Sequence, residues 1–308
     1  MILCAGEALI DMLPRTSTEG EPAFAPHAGG AVFNTAIALG RLGAPTGFLA
    51  GLSTDLFGTQ LAEALAASGV ETGLCLRSDR PTTLAFVTLV DGHARYAFYD
   101  EATAGRMLTP ADLPALPASV RALFCGGISL MAEPCGSAYE ALFLREAGAR
   151  VTMLDPNIRP GFIADVPAYR ARIARMIAAA DILKISDEDL HWLEGPGDAR
   201  DLARGLLTRG PRLVLLTRGA GGADALSAGV ECHVPAPPVQ VVDTVGAGDT
   251  FNAGLLAGLA RAGRLDRDTL ADGVPGAELK AALDLAIRAA AVTVARAGAN
   301  PPWAADLA

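Results

Sequence analysis

The chain has 308 residues, enough for one large α/β domain with a smaller appendage, and its 51% hydrophobic and 19% charged residues provide a sizeable core and argue against disorder. A formal net charge of −9 excludes a nucleic-acid groove as the main surface, since tracking phosphates needs clustered cations, but leaves room for a small anion held by backbone amides. Only Lys184 and Lys280 are lysines, each preceded by leucine, so the Gly-Lys of a Walker A loop is absent. The scattered histidines form no H-E-x-x-H zinc site, and no serine sits in a G-x-S-x-G elbow.

The chain opens on MILCAGEALIDM, which lacks a basic leader and carries Glu7 and Asp11 early, so it does not read as a signal peptide. Ile2-Leu3-Cys4-Ala5 reads as a buried first strand, followed by a polar Pro/Gly/Thr-rich segment from Pro14 to Pro26. Helical periodicity runs from Val32 to Leu42, a strand from Thr46 to Ala50, and a helix over 56–68. Between Glu71 and Asp100 the runs GLCLR, TTLAFVTLV and ARYAFYD predict three short strands without a helix, an antiparallel flap inserted into the alternation.

After residue 101 the alternation resumes. Strands are expected at 122–125, 150–154, 182–185 and 213–217, helices at 134–148, 167–180 and 198–208, then a hairpin and two helices near 247–262 and 277–296. The expected fold class is α/β, with a mainly parallel central sheet covered by helices on both faces and a small β-sheet lid. We assign residues 1–11, 27–70 and 101–308 to the α/β domain, and 12–26 and 71–100 to the lid. No run approaches the ~18 apolar residues of a membrane span. The cysteines at 4, 75, 125, 135 and 232 are odd in number and lack a C-x-x-C pair, the pattern of free thiols in a reducing cytoplasm.

The sharpest motif is Asp243-Thr244-Val245-Gly246-Ala247-Gly248-Asp249-Thr250-Phe251, a glycine-bearing turn leading straight into the apolar helix FNAGLLAGLA. Free N–H groups at such a helix start form an anion pocket. Phe251 breaks G-x-G-x-x-G, so a Rossmann fingerprint does not fit. Asp249 would repel a polyphosphate unless it has its own task, either accepting a proton from an attacking hydroxyl or capping the helix.

Gly29-Gly30-Ala31-Val32-Phe33-Asn34 can bring backbone against a ligand, with Asn34 offering both a donor and an acceptor. Asp155-Pro156-Asn157-Ile158-Arg159-Pro160 directly follows a strand, where open α/β sheets place ligands and where ordinary turns also occur. Asp11 suits a polyol, because one carboxylate can accept from two neighbouring hydroxyls; it equally suits a solvated strand end.

In this order, with about two hundred residues between the amino- and carboxyl-terminal motifs, the chain resembles the PfkB (ribokinase-like) family of carbohydrate kinases over essentially its whole length. Asp155–Pro160, Lys184-Ile185-Ser186-Asp187-Glu188 and Gly298-Ala299-Asn300-Pro301-Pro302 look most like the family's bacterial fructokinases. The resemblance implies an ATP-dependent sugar kinase acting on a terminal hydroxyl, D-fructose to fructose 6-phosphate. The alternatives are 2-keto-3-deoxygluconate and, further off, ribose or a nucleoside; a non-catalytic sugar-binding protein is disfavoured by the intact G-A-G-D.

The resemblance makes Asp249 the catalytic base, with the amides of Gly246, Ala247 and Gly248 as the anion hole. It places Asp11, Gly29, Gly30, Asn34, Arg95, Asn157 and Arg159 on the sugar. Lys184, Thr217, Gly219, Gly222 and Asn300, with Gly246 and Gly248, would bind the nucleotide. Mg²⁺ would accompany ATP, and Asp243 begins the family's monovalent-cation loop, a K⁺ site. One departure stands out. Where many members carry Asn-x-x-Glu, this chain has Ser186-Asp187-Glu188-Asp189, so the Mg²⁺ role falls to Asp189, with Glu188 as a second carboxylate. The apolar TTLAFVTLV predicts that two lids pair in a homodimer.

Overall fold

The computed structural model describes residues 1–90 and 93–308, and the side chains of all of these except 89, 90 and 93–96. The first strand, β1 (Ile2–Ala5), is an apolar run buried on both faces; β2 (Leu9–Thr16), β3 (Pro22–Gly29) and helix α1 (Ala31–Arg41) follow. Next come β4 (Thr46–Leu49), β5 (Gly51–Ser53), α2 (Leu56–Ala67), β6 (Val70–Glu71), β7 (Leu76–Ser78), β8 (Leu84–Val90) and β9 (His93–Tyr99).

The remainder alternates. It comprises β10 (Ala122–Gly126), α3 (Cys135–Glu146), β11 (Val151–Asp155), α4 (Val166–Ala179), β12 (Ile182–Ser186), α5 (Asp187–Glu194), α6 (Ala199–Leu207) and β13 (Leu213–Thr217). The hairpin β14 (Ala223–Ser227) and β15 (Val230–Val234) leads to α7 (Ala247–Arg261), α8 (Arg267–Ala271) and α9 (Gly276–Val294).

The large sheet has the order β15-β14-β13-β12-β11-β10-β1-β4-β6 and is parallel from β6 to β13, with an antiparallel hairpin at one edge. Strands buried on both faces need no polar alternation, which is why ILCA, VTMLD and LVLLT read as near-continuous apolar runs. Alternate residues feed two cores. Ile2 and Cys4 pack on the side of Phe33, Leu255 and Ala286, whereas Leu3 and Ala5 pack on the side of Tyr139, Phe143 and Ile173.

Helix α7 is locked lengthwise against α9. A Cβ on Gly254 would lie 2.5 Å from Ala286 Cα, and one on Gly258 2.6 Å from Ala282 Cα, so only glycine permits this approach. Leu255 and Leu256 are fully buried beside it, each worth about 1.5–3 kcal/mol of burial. The start of α7 is thereby fixed above the carboxyl ends of the parallel strands.

The smaller sheet has the order β3-β2-β8-β9 and differs from the expected flap in two ways. Most of the segment 14–26, given above to the lid, lies in the antiparallel β2–β3 pair. Pro14 is tolerated because the pairing of β2 with β8 spans only Ile10 to Met12, so the strand is paired on one side beyond that point. That β2–β8 pairing is parallel, and β7 joins β5 in a separate two-stranded sheet. Helix α5 was not anticipated. Its acidic run is the first turn of a helix capped by Ser186, whose Oγ accepts from Asp189 N at 3.0 Å.

Candidate active site

Two cavities meet at the amino terminus of α7. The larger, about 610 Å³, is mostly apolar and runs between the β13–β14 turn (Thr217, Gly219, Gly222), the segment Ala236–Val239, and Ile287 to Val294 of α9. The smaller, about 360 Å³, is lined by Glu7, Leu9, Asp11, Gly30, Asn34, Phe98, Asn157, Arg159, Phe162 and Asp249, among others. Thr244 and Gly248 line both. A group passing from one to the other must cross the first turn of α7.

Gly246 makes that turn. It sits in the left-handed region at φ 78°, and a Cβ there would lie 2.8 Å from Ala299 Cβ. The first-turn amides of α7 have no intrahelical acceptor, and the helix dipole adds partial positive charge at the same place. Ala247 N makes only a long 3.4 Å contact to Thr244 O. Gly248 brings backbone close to the only nearby ammonium, since a Cβ there would be 3.3 Å from Lys184 Nζ.

No side chain caps α7, and the Asp249 carboxylate faces the smaller cavity, accepting from Asn34 Nδ2 at 2.9 Å. Burial raises its pKa to about 7; the Asn34 hydrogen bond and Lys184 oppose that rise, while the charges of Asp155 and Glu7 add to it. Thr35 Oγ1 donates to the Asp249 carbonyl at 3.2 Å, tying α1 to α7 a second time.

Asp11 lies across the same cavity, its carboxyl lifted to about 6 by burial. Gly29 is the floor beneath it, for a Cβ would sit 2.3 Å from Asp11 Oδ2. Asn157 takes a positive φ of 43° and its N–H donates to Asp155 Oδ1 at 3.2 Å, an uncommon backbone state at the carboxyl end of β11. Arg159 lines the cavity from the next turn. The side chain of Arg95 lies outside the described residues.

Of the residues expected to bind the nucleotide, Thr217, Gly219 and Gly222 line the larger cavity. Gly222 has a packing reason as well, since its Cβ would meet Val234 O at 2.2 Å. Asn300 stands apart. It is exposed, its Oδ1 accepts from Arg41 at 2.8 Å, and it lines neither cavity. Asp243 has both carboxylate oxygens engaged by backbone N–H groups, those of Val245 (3.0 Å) and Gly298 (2.9 Å).

Three polar groups were missed by sequence reasoning. Asp155 is buried and accepts from Lys184 Nζ at 3.0 Å and from Asn252 Nδ2 at 2.7 Å. Asn252 leaves its Oδ1 buried without a partner. Glu7 lines the smaller cavity. The signal for the first two was present, as they stand inside the very motifs quoted for Asn157 and Asp249. Among the described residues no three His, Cys, Asp or Glu side chains gather as a metal site. Asp189 is buried, its pKa raised by burial and then by Asp155, whereas Glu188 is exposed.

The pfkB family carbohydrate kinase model matches residues 1–306. The chain belongs to the PfkB family of carbohydrate kinases. It is a sugar kinase with the ribokinase-like fold. It is 59% identical over 259 residues to a fructokinase of Rhizobium leguminosarum bv. trifolii, covering 84% of this chain and 79% of that one. A fructokinase of Xylella fastidiosa solved with bound ATP superposes with TM-score 0.83 at 29% identity, covering 97% and 93% of the two chains. Aminoimidazole riboside kinase from Salmonella enterica, complexed with aminoimidazole riboside and an ATP analogue, gives 0.81 at 28% identity over 97% and 94%.

Proposed function

We propose that this kinase transfers the γ-phosphoryl group of ATP to the terminal C6 hydroxyl of D-fructose, with the sugar in the smaller cavity and the nucleotide in the larger. The observation that carries this is the shared wall at Gly248, beside the cavity-facing carboxylate of Asp249. The fructokinase relatives supply the sugar. A coupled ADP-release assay with fructose, ribose, 2-keto-3-deoxygluconate and adenosine tests it, with fructose expected to give the highest kcat/KM.

Asp11 and Asn157 orient the hydroxyls, and Asp249 accepts the proton of the attacking one late in a loose transition state. The first-turn amides of α7 and Lys184 offset charge on the moving phosphoryl group without reorganising. Asp189 is the carboxylate that would serve a Mg²⁺ ion, which takes one or two carboxylates and keeps phosphate oxygens and water for the rest of its shell. When bound, the ion would neutralise phosphate charge. The loop that Asp243 ties to Gly298 is the proposed K⁺ site, tested by comparing activity in potassium and in choline salts.

We further propose that the four-stranded sheet is a lid over the sugar and that two lids pair in a homodimer. Phe24, Phe86 and Tyr99 stack edge to face with centroids 5.0 and 5.4 Å apart, yet Phe24 is 42% and Tyr99 64% exposed. A monomeric mass by light scattering at micromolar concentration would contradict the dimer. The site of action proposed is the cytoplasm, in keeping with five free cysteines. No helix among the described residues is long and apolar enough to cross a membrane.

A further inference from the structure

Glu7 is a buried carboxylate that the mechanism above leaves idle. It follows β1, and its Oε1 accepts from Ala31 N at 2.9 Å and Val32 N at 3.4 Å, the first amides of α1. Its Oε2 accepts from Ser129 N at 3.2 Å, in the turn after β10. The site is shaped for this arm. A Cβ on Gly127, at φ 71°, would lie 2.2 Å from Glu7 Oε1, and one on Gly30, at φ 109°, would lie 3.0 Å from Glu7 O. Helix α1 has no side chain of its own as cap and no acid in its first turn, so Glu7 reaches across to fill that role.

The consequence runs along α1. Its first turns carry Asn34 and Thr35, the two residues that bind Asp249. We infer that Glu7 is a positioning residue for phosphoryl transfer: it fixes the start of α1 between two loops at the carboxyl end of the sheet, and so holds Asn34 against the base. This rests on the reading of Asp249 as that base. Glu7 also acts through space. The groups around Asp249 are Asn34 from α1, Asp155 from β11, Lys184 from β12 and Glu7 itself, with Asp11 and Arg159 on the far walls. Cys125, Cys135 and Tyr139 face Glu7 from β10 and α3, all with pKa values raised by burial. Burial raises Glu7's own pKa against its hydrogen bonds to backbone N–H groups, and its negative charge makes Asp249 more basic.

The test compares Glu7→Gln, Glu7→Asp and Asp249→Asn for kcat, both KM values and melting temperature across about pH 5 to 9. Gln keeps one acceptor for α1 but turns an N–H toward Ser129 N. It should lower kcat about ten- to a hundredfold with KM for ATP unchanged, and move the acid limb of the profile to higher pH, because the Asn34 hydrogen bond weighs more on Asp249 than the charge of Glu7 does. Asp keeps the charge on an arm too short to hold both loops, so it should lower kcat and move the limb the same way by way of Asn34. Wild-type kcat and an unmoved limb in Glu7→Gln overturn the inference, as does a lower melting temperature with no kinetic change. If Glu7→Gln does not fold, wild-type kcat in Glu7→Asp overturns it instead. Full turnover in Asp249→Asn identifies failure of the base itself.

Discussion

Asn34 and Asp249 stand 215 residues apart in sequence, and Asn34 Nδ2 donates to Asp249 Oδ2 at 2.9 Å. The two helices start at the same cavity, so an amide on one sets the orientation and basicity of a carboxylate on the other. A neutral donor favours the ionised carboxylate, here against strong desolvation. Asn34→Ala should therefore raise the pKa of Asp249 further and shift the acid limb of kcat/KM to higher pH. A fall in kcat of about tenfold is expected, about the loss of one oriented hydrogen bond. The pH–rate profile checks it, and an unmoved limb would contradict the pairing.

Asp249 should also weaken the fold where it works. Its pKa is raised from 3.8 to about 7 on folding, so the native state holds the proton more tightly than the unfolded chain. Stability is then highest below the unfolded value and falls as pH rises through that window, by up to roughly 4 kcal/mol. Asp249→Asn should melt higher than wild type at pH 8, with the gap closing at about pH 4. Calorimetry at the two pH values reads this directly.

Gly29→Ala puts a methyl 2.3 Å from Asp11 Oδ2, and the carboxylate must swing away. The KM for fructose should rise at least tenfold, on the order of one lost charged hydrogen bond, with KM for ATP unchanged. Equal changes in both would place Asp11 elsewhere in the reaction.

Lys184→Ala leaves Asp155 buried with Asn252 as its remaining hydrogen-bonding side chain. Breaking a buried pair from one side costs about 3–5 kcal/mol, so the melting temperature should drop sharply. Lys184→Ala, Asp155→Asn together should recover part of that loss while kcat stays low. Urea denaturation and steady-state kinetics separate the two effects.

Much of the layout was legible in the sequence because fully buried parallel strands are plain apolar runs and the α7 turn spells its own glycines. The small sheet was harder, since Pro14, Pro22 and Pro26 look like loop chemistry until pairing on one side alone makes room for them. Helix α5 was masked by its charge. Asp187, Glu188 and Asp189 suit the positive end of a helix dipole, but read in a row they suggest metal ligands. Glu7 escaped notice for another reason: it acts on residues distant in sequence, so no local spacing announces it.

The central claim is that Asp249 takes the proton of the attacking sugar hydroxyl. Single-turnover phosphorylation of fructose by Asp249→Asn, with fructose and ATP binding measured by calorimetry in the same preparation, tests it most directly. The account predicts a rate at least ~10²–10⁴ below wild type with both ligands still bound and the protein folded. A rate near wild type with intact binding would contradict it.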